Sequence, residues 1–180
     1  MAKILVQKGL FVVSADEIAH QVINPTGEAY LDVINRFGKE VLLDDGQIDR
    51  SRLGAVVFSN KEARKDLEDL IHPKVLAGIN QLITQSRNQG LSCLIVEIPL
   101  LFEVRWEYLF DKIWVVSCLP EIQLERIQNR DQLSKEKAMQ RITAQLPLSY
   151  KEKRADAVIY NNQGYEELLA QIEQMIKPLE

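Results

Sequence analysis

The side chains most able to do chemistry follow two short apolar runs. Asp16 comes after the run at residues 10–13, and Glu103 ends the segment at residues 99–103, which follows the run at residues 93–98. Ligands of open parallel sheets bind at the carboxyl ends of the strands, so both positions are candidates for a binding site. Two structural alternatives stay open: Asp16 could cap a helix, and residues 99–103 could be a buried loop that closes the core.

Arginines supply a second candidate set. Arg126 and Arg130 are four residues apart and share a helix face, Arg141 follows, and residues 151–154 add three basic side chains. These side chains could be simply solvated, since acidic residues lie among them. Several arginines around one hairpin are also what a lid that closes over phosphate groups needs.

The elements that must position these residues alternate between strands and helices. Continuous apolar runs, typical of strands buried in a parallel sheet, predict strands at residues 10–13, 93–98, 113–117 and 157–160. Pro120 and Ser134 suit helix N-termini. Residues 28–87 show several helical patterns and no convincing strand. We therefore predict an α/β fold, a parallel sheet with helices on both faces, carrying an all-helical insertion.

Composition excludes several classes of protein. The chain has 180 residues, 46% hydrophobic and 27% charged, with a net charge of -4. No apolar run approaches the roughly 20 residues of a membrane-spanning helix, and the acidic balance argues against a general nucleic-acid partner. Two cysteines and two distant histidines show no metal-site spacing. We predict a cytoplasmic protein with no metal site of its own side chains, no membrane partner and no nucleic-acid partner.

The phosphate-binding pattern Gly-x-x-x-x-Gly-Lys-Ser/Thr is absent from these residues. The pattern requires two glycines five positions apart. The eight glycines, at positions 9, 27, 38, 46, 54, 78, 90 and 164, include no such pair. A Walker loop is therefore not encoded within this sequence.

An ordered set of short blocks nevertheless resembles the dephospho-CoA kinase family over residues 2–176. The blocks include Ser14-Ala15-Asp16-Glu17-Ile18-Ala19-His20, Asp45-Gly46-Gln47-Ile48-Asp49-Arg50, Ile71-His72-Pro73, Ile98-Pro99-Leu100-Leu101-Phe102-Glu103, Gln123-Leu124-Glu125-Arg126, Arg130-Asp131, Arg141-Ile142 and Asn161-Asn162. Each block alone is weak evidence, whereas their order and spacing together are specific.

The resemblance implies a P-loop kinase core at residues 1–23, 88–118 and 155–180, a helical CoA-binding insertion at residues 24–87 and a lid at residues 119–154. It implies phosphorylation of the 3'-hydroxyl of dephospho-CoA, with ATP and Mg²⁺. Asp16 would be the catalytic base, with Ser14 in place of the family's first aspartate. The remaining roles would be phosphate binding by Arg126, Arg130 and Arg141, adenine contact by Asn161 and Asn162, and acceptor contact by His72, Pro99, Leu100, Phe102 and Glu103.

The resemblance also implies a first strand and a Walker loop, which this sequence lacks. We expect the natural protein to begin about 20 residues earlier. The alternative is a short form without kinase activity that at most binds CoA-like ligands. Another nucleotide kinase is disfavoured, because the blocks at residues 71–73 and 98–103 look specific to the CoA branch.

Overall fold

The computed structural model describes residues 1–177, which contain nine α-helices and four β-strands. The helices are α1 (Ala2–Gln7), α2 (Ala15–Val22), α3 (Tyr30–Phe37), α4 (Arg50–Ser59), α5 (Lys61–Asn88), α6 (Pro120–Asp131), α7 (Lys135–Thr143), α8 (Leu148–Glu152) and α9 (Tyr165–Ile176). The strands are β1 (Phe11–Ser14), β2 (Leu94–Glu97), β3 (Trp114–Ser117) and β4 (Ala157–Tyr160).

The predicted α/β class is confirmed. All four predicted strands are present, and each end lies within one residue of its predicted position. They pair as two parallel two-stranded sheets, β1 with β2 and β3 with β4. The chain divides into two compact units, Met1–Ile98 and the part from Pro99 onward. The division into core, insertion and lid stays a prediction, and residues 178–180 of the proposed core lie outside the described residues.

The first unit joins a small parallel sheet to a group of helices. Helix α1 ends at Gln7 with Lys8 as its C-cap, and the next residue, Gly9, has a φ of +84°, a conformation that favours glycine and lets the chain turn into β1. Helix α2 packs against α5. The segment expected to be helical contains α3, α4 and α5, with an isolated antiparallel bridge between Leu42 and Ile48.

The helices of the first unit enclose an apolar core. Its buried members include Val33 and Phe37 of α3, Leu53 of α4 and Ala63 of α5. Side chains fix the starts of two helices: Asp49 accepts hydrogen bonds from the first turn of α4, and Asn60 does the same for α5. These caps define where each helix begins.

The second unit is built around the parallel pair β3 and β4. Ile159 of β4 and Ile172 of α9 are fully buried, and Gln171 of α9 binds both the N–H and the carbonyl of Tyr160. At the start of the pair, Asp156 accepts the Ile113 N–H at 2.8 Å and the Lys112 ammonium at 2.9 Å. The Asp156 bonds tie the start of β3 to the start of β4, and the Gln171 bonds tie α9 to the end of β4.

Among residues 1–177, none of the helices combines the length and the apolar character that crossing a bilayer requires.

Candidate functional site

Asp16 lies at the carboxyl end of β1, where the sequence predicted a reactive carboxylate. Ser14 holds the N-cap position of α2, and Asp16 is already the second residue of the helix. The predicted capping role of Asp16 is therefore wrong, because its backbone is helical and a cap must precede the helix. The Asp16 carboxylate is exposed, and no residue of the described chain hydrogen-bonds to it or pairs with it. It is available to a ligand.

A second carboxylate, Glu97, shares this edge of the sheet. Glu97 is the last residue of β2, and the strand register places it opposite Ser14, the last residue of β1. Its side chain is exposed. The sequence signal was a charged residue closing an otherwise apolar strand, but only strand pairing assigns it to the same edge as Asp16.

His72 lies in the first unit, inside helix α5. It is half-buried near the middle of the 28-residue helix α5, which continues through Pro73 without ending. A proline inside a helix removes one hydrogen bond and usually bends the axis. The proposed contact of His72 with the acceptor stays a prediction.

The segment at residues 99–103 opens the second unit and is partly buried. Phe102 is 6% exposed and Leu100 is 42% exposed. The Glu103 carboxylate accepts the Lys151 ammonium at 2.8 Å and the Leu146 N–H at 3.0 Å. The Glu103 carboxylate therefore anchors the segment from inside the protein. The sequence had suggested either a binding segment or a buried closing loop, and neither interpretation included this anchor.

Lys151 does not belong with the exposed arginines, contrary to the sequence-based grouping. The residue is 6% exposed, and its ammonium points to Glu103 and to the carbonyl of Pro99, at 3.4 Å. Burial tends to raise the pKa of Glu103, but the hydrogen bonds from Lys151 and the Leu146 N–H outweigh it and hold that pKa below its ordinary value. Glu103 is therefore a carboxylate at neutral pH.

A cavity of about 460 Å³ lies beside this ion pair. It is lined by Phe102, Glu103, Arg105, residues 143–146 and Tyr150. The Phe102 and Tyr150 rings meet edge to face, with centroids 6.5 Å apart, and the Arg154 guanidinium lies over the Tyr150 ring, 4.6 Å from its centroid. The cavity joins residues of the proposed acceptor segment to the end of the proposed lid.

The lid arginines fall into two groups. Arg130 binds both carboxylate oxygens of Asp131, at 2.7 and 2.9 Å, and Arg141 of α7 binds the same carboxylate at 2.5 Å. Arg126 instead donates to the carbonyl of Asn161 at 2.7 Å. The structure brings Arg130 and Arg141 together through Asp131, which the sequence had presented only as a neighbouring acidic residue.

Asp131 responds electrostatically to these partners. The Arg130 hydrogen bond is the main cause that lowers the pKa of Asp131, and Arg141 adds to it. The side chains of Arg130 and Arg141 remain 72% and 51% exposed. A more highly charged anion could therefore reach both guanidinium groups from solvent.

Asn161 and Asn162 follow β4 at the carboxyl end of the second sheet. The Asn162 side chain accepts the Leu119 N–H at 2.7 Å, just before α6 begins. Asn161 contributes its backbone carbonyl to Arg126 and its N–H to the Ser117 carbonyl. Both asparagines thus shape the turn where a ligand of the sheet would lie, and their contact with adenine stays a prediction.

Neither cysteine has the lowered pKa of a reactive thiol. Burial raises the pKa of the Cys93 thiol, and burial likewise raises that of Cys118 against a smaller opposing effect of Arg126. Within residues 1–177, no three His, Cys, Asp or Glu side chains form a group able to hold a metal ion. Kinase sites hold Mg²⁺ through one or two carboxylates together with substrate phosphates, so the Mg²⁺ that the resemblance implies does not require such a group.

Known proteins match this chain over most of its length. A family model described as dephospho-CoA kinase matches residues 1–167. The dephospho-CoA kinase of Thermosynechococcus vestitus is 44% identical over 168 residues, covering 93% of this chain and 81% of the relative. That of Carboxydothermus hydrogenoformans is 41% identical over 172 residues, covering 96% and 84%.

Solved structures agree with these sequence matches. Dephospho-CoA kinase from Campylobacter jejuni is 34% identical, with a TM-score of 0.68, and the match covers 99% of this chain and 89% of that one. The crystal structure of TT1252 from Thermus thermophilus is 30% identical, with a TM-score of 0.77, and the match covers 97% and 87%.

The α/β fold, together with these matches, places the chain in a class of nucleotide-using transferases. The chain belongs to the dephospho-CoA kinase family, a family of coenzyme A biosynthesis, and the resemblance stated from the sequence is confirmed.

Proposed function

We propose that this chain carries the acceptor and lid parts of an enzyme that phosphorylates the 3'-hydroxyl of dephospho-CoA with ATP. The observation that carries the proposal is Asp16, an exposed carboxylate without a protein partner at the end of β1, in a chain of this family. The resemblance supplies the substrates, and the geometry suggests what each side chain does.

Phosphoryl transfer asks the protein for positioning and for charge stabilisation more than for covalent chemistry. Asp16 would take the proton of the acceptor hydroxyl as that oxygen bonds to phosphorus, and the bond to ADP would break. A base must be free to reach its proton, and the carboxylate has no competing protein donor. Glu97, on the same sheet edge, would add a second negative charge there and could accept a hydrogen bond from a bound ligand.

Arg126, Arg130 and Arg141 would bind phosphate oxygens. Planar guanidinium groups suit this task because they donate two parallel hydrogen bonds to one anion. Arg130 and Arg141 already converge on one carboxylate, so the Asp131 side chain would exchange its place with phosphate oxygens when a nucleotide binds. ATP fits this cationic set in part, because the amides and lysine of a Walker loop are not within the sequence.

A polypeptide of these 180 residues alone is therefore expected to show negligible turnover. Without the Walker lysine and hydroxyl, the β- and γ-phosphates lose their main binding groups. Robust dephospho-CoA-dependent ADP release by the purified polypeptide would refute this expectation.

The decisive experiment uses a version with a strand and a Gly-x-x-x-x-Gly-Lys-Thr loop placed before Met1. Asp16→Asn in this version should lower kcat by about 10² to 10⁴, with the Kd for dephospho-CoA largely kept. The matched control is Asp32→Asn, since Asp32 is also an exposed aspartate in the first turn of a helix, α3. Equal activity of Asp16→Asn and Asp32→Asn would remove Asp16 from the mechanism.

A second candidate function is a CoA-ligand-binding module without catalysis. The missing Walker pattern is the observation that favours it. Calorimetry of dephospho-CoA binding, combined with the ADP-release assay, distinguishes the enzyme from the module. If the lengthened version binds dephospho-CoA but shows no turnover, the module is favoured. A cytoplasmic location stays a prediction from the sequence.

A further inference from the structure

A single buried ammonium holds both ends of the proposed acceptor segment. Lys151 of α8 contacts the carbonyl of Pro99 and the carboxylate of Glu103, the first and last residues of the segment. The side chain of Lys151 is 8% exposed, and that of Glu103 is 19% exposed. One side chain, 48 residues beyond Glu103 in the sequence, therefore contacts both ends of this five-residue segment.

The same carboxylate also fixes the chain that leads into α8. The N–H of Leu146 donates to Glu103 Oε1, the oxygen that also faces Lys151. Leu146 lies between α7, which carries Arg141, and α8, which carries Lys151. Glu103 and Lys151 thus join the acceptor segment to the end of the proposed lid at two points.

Stability is a poor explanation for a buried ion pair. Removing two charged groups from water carries a large desolvation penalty, and well-packed apolar residues of similar volume often stabilise a protein equally well. The pair also leaves Glu103 Oε2 buried without a hydrogen-bond partner among the described residues. What the pair supplies that apolar residues cannot is a directional link with defined bond geometry.

We propose that Lys151 is a positioning residue, which acts through Glu103 to hold residues 99–103 in the conformation that binds dephospho-CoA. The cavity beside the pair, lined by Phe102, Glu103 and Tyr150, is the place where a displaced segment would alter the ligand-binding surface. This inference rests on the proposed function, because it assigns the segment to the acceptor.

The test compares binding of dephospho-CoA by calorimetry for four variants of the full chain. Lys151→Met should raise the Kd for dephospho-CoA by about ten- to a hundred-fold, because a displacement of about 1 Å in a binding segment can cost up to about a hundred-fold. Lys151→Arg, which keeps a charge and donors, should restore much of the affinity. The matched control is Lys137→Met on the exposed surface of α7, which should leave the Kd unchanged.

The double variant Glu103→Gln/Lys151→Met separates positioning from stability. Lys151→Met alone leaves a buried charge without a partner and should lower Tm, whereas the double variant leaves no unpaired charge and should regain most of that loss. A positioning role predicts that its Kd stays raised although Tm recovers. If binding recovers together with Tm, Lys151 has only a structural role and the inference is wrong.

Amide hydrogen exchange of residues 99–106 gives a readout that needs no ligand. Lys151→Met and the double variant should both exchange faster there than the wild type, while β4 and α9 keep their protection. Unchanged exchange in both variants would overturn the inference. Failure of the wild-type chain to bind dephospho-CoA would instead refute the proposed acceptor role, whatever the exchange results show.

Discussion

Gly78 of α5 is where a single added methyl group should disturb the helix that carries Asp16. A Cβ built at Gly78 would lie 3.0 Å from Cγ2 of Ile18, a side chain of α2 that is 7% exposed. Ile18 is two residues after Asp16 on the same helix. Gly78→Ala therefore tests whether the close approach of α2 and α5 requires glycine.

Two opposing effects set the magnitude. Alanine in a helix interior is about 1 kcal/mol more favourable than glycine, whereas an extra methyl group in a packed interface costs about 1–3 kcal/mol. Gly78→Ala should therefore change the free energy of unfolding by between about zero and 2 kcal/mol, in the destabilising direction. Gly54 of α4 is the matched control, because a Cβ there meets nothing within 4 Å. Gly54→Ala should stabilise the protein by about 1 kcal/mol.

Urea unfolding, followed by the circular dichroism of the helices, measures the free energy of unfolding of both variants. A difference of about 1 kcal/mol moves the midpoint by roughly 0.3–1 M urea, so opposite shifts are resolvable. The reasoning fails if Gly78→Ala stabilises the chain as much as Gly54→Ala does. In the lengthened version, Gly78→Ala should also lower kcat, because a shifted α2 moves Asp16.

Three further predictions concern single side chains. Because burial raises the pKa of Cys93 and Cys118, both thiols should react with Ellman's reagent at pH 7 more slowly than in the urea-unfolded chain; equal rates would contradict their burial. The backbone N–H and the ammonium that bind Asp156 lower its pKa, so its contribution to stability is present above the unfolded pKa and is lost as pH falls through the lower folded pKa. The Tm difference between wild type and Asp156→Asn should accordingly shrink on acidification below about pH 4, and a constant difference would argue against the linkage. Asn162→Ala should cost about 0.5–1.5 kcal/mol by freeing a backbone N–H, whereas Asn161→Ala should cost less because Asn161 uses its backbone; equal losses of Tm would show that the Asn162 side chain is not the important contact.

Local patterns account for the elements that the sequence predicted well. An apolar run of β-branched residues favours a strand wherever it is buried, and Gly9 ends a helix because its φ of +84° strains other residues. Pro120 begins α6 as expected from its fixed φ and missing N–H. Each of these preferences acts over a few residues, so the sequence alone expresses it.

The misplaced residues depend on partners far along the chain. Asp16 is inside α2 because Ser14 is the N-cap and the helix begins at Ala15; Ser and Asp are both favoured caps, so local preference does not choose between them. Glu97 joins the edge of Asp16 only because β2 pairs with β1 in one register. Lys151 looks like any basic residue of a helix until its partner Glu103 is known.

The sequence by itself therefore determined the α/β class, the strands, the family and the absence of a Walker pattern, since these follow from residue order and spacing. Tertiary structure alone decided that Lys151 is buried against Glu103, and that Asp131 binds Arg130 and Arg141 together. The physical reason is that the environment of a charged side chain, which sets its partner and its exposure, arises from chain segments that only folding brings together.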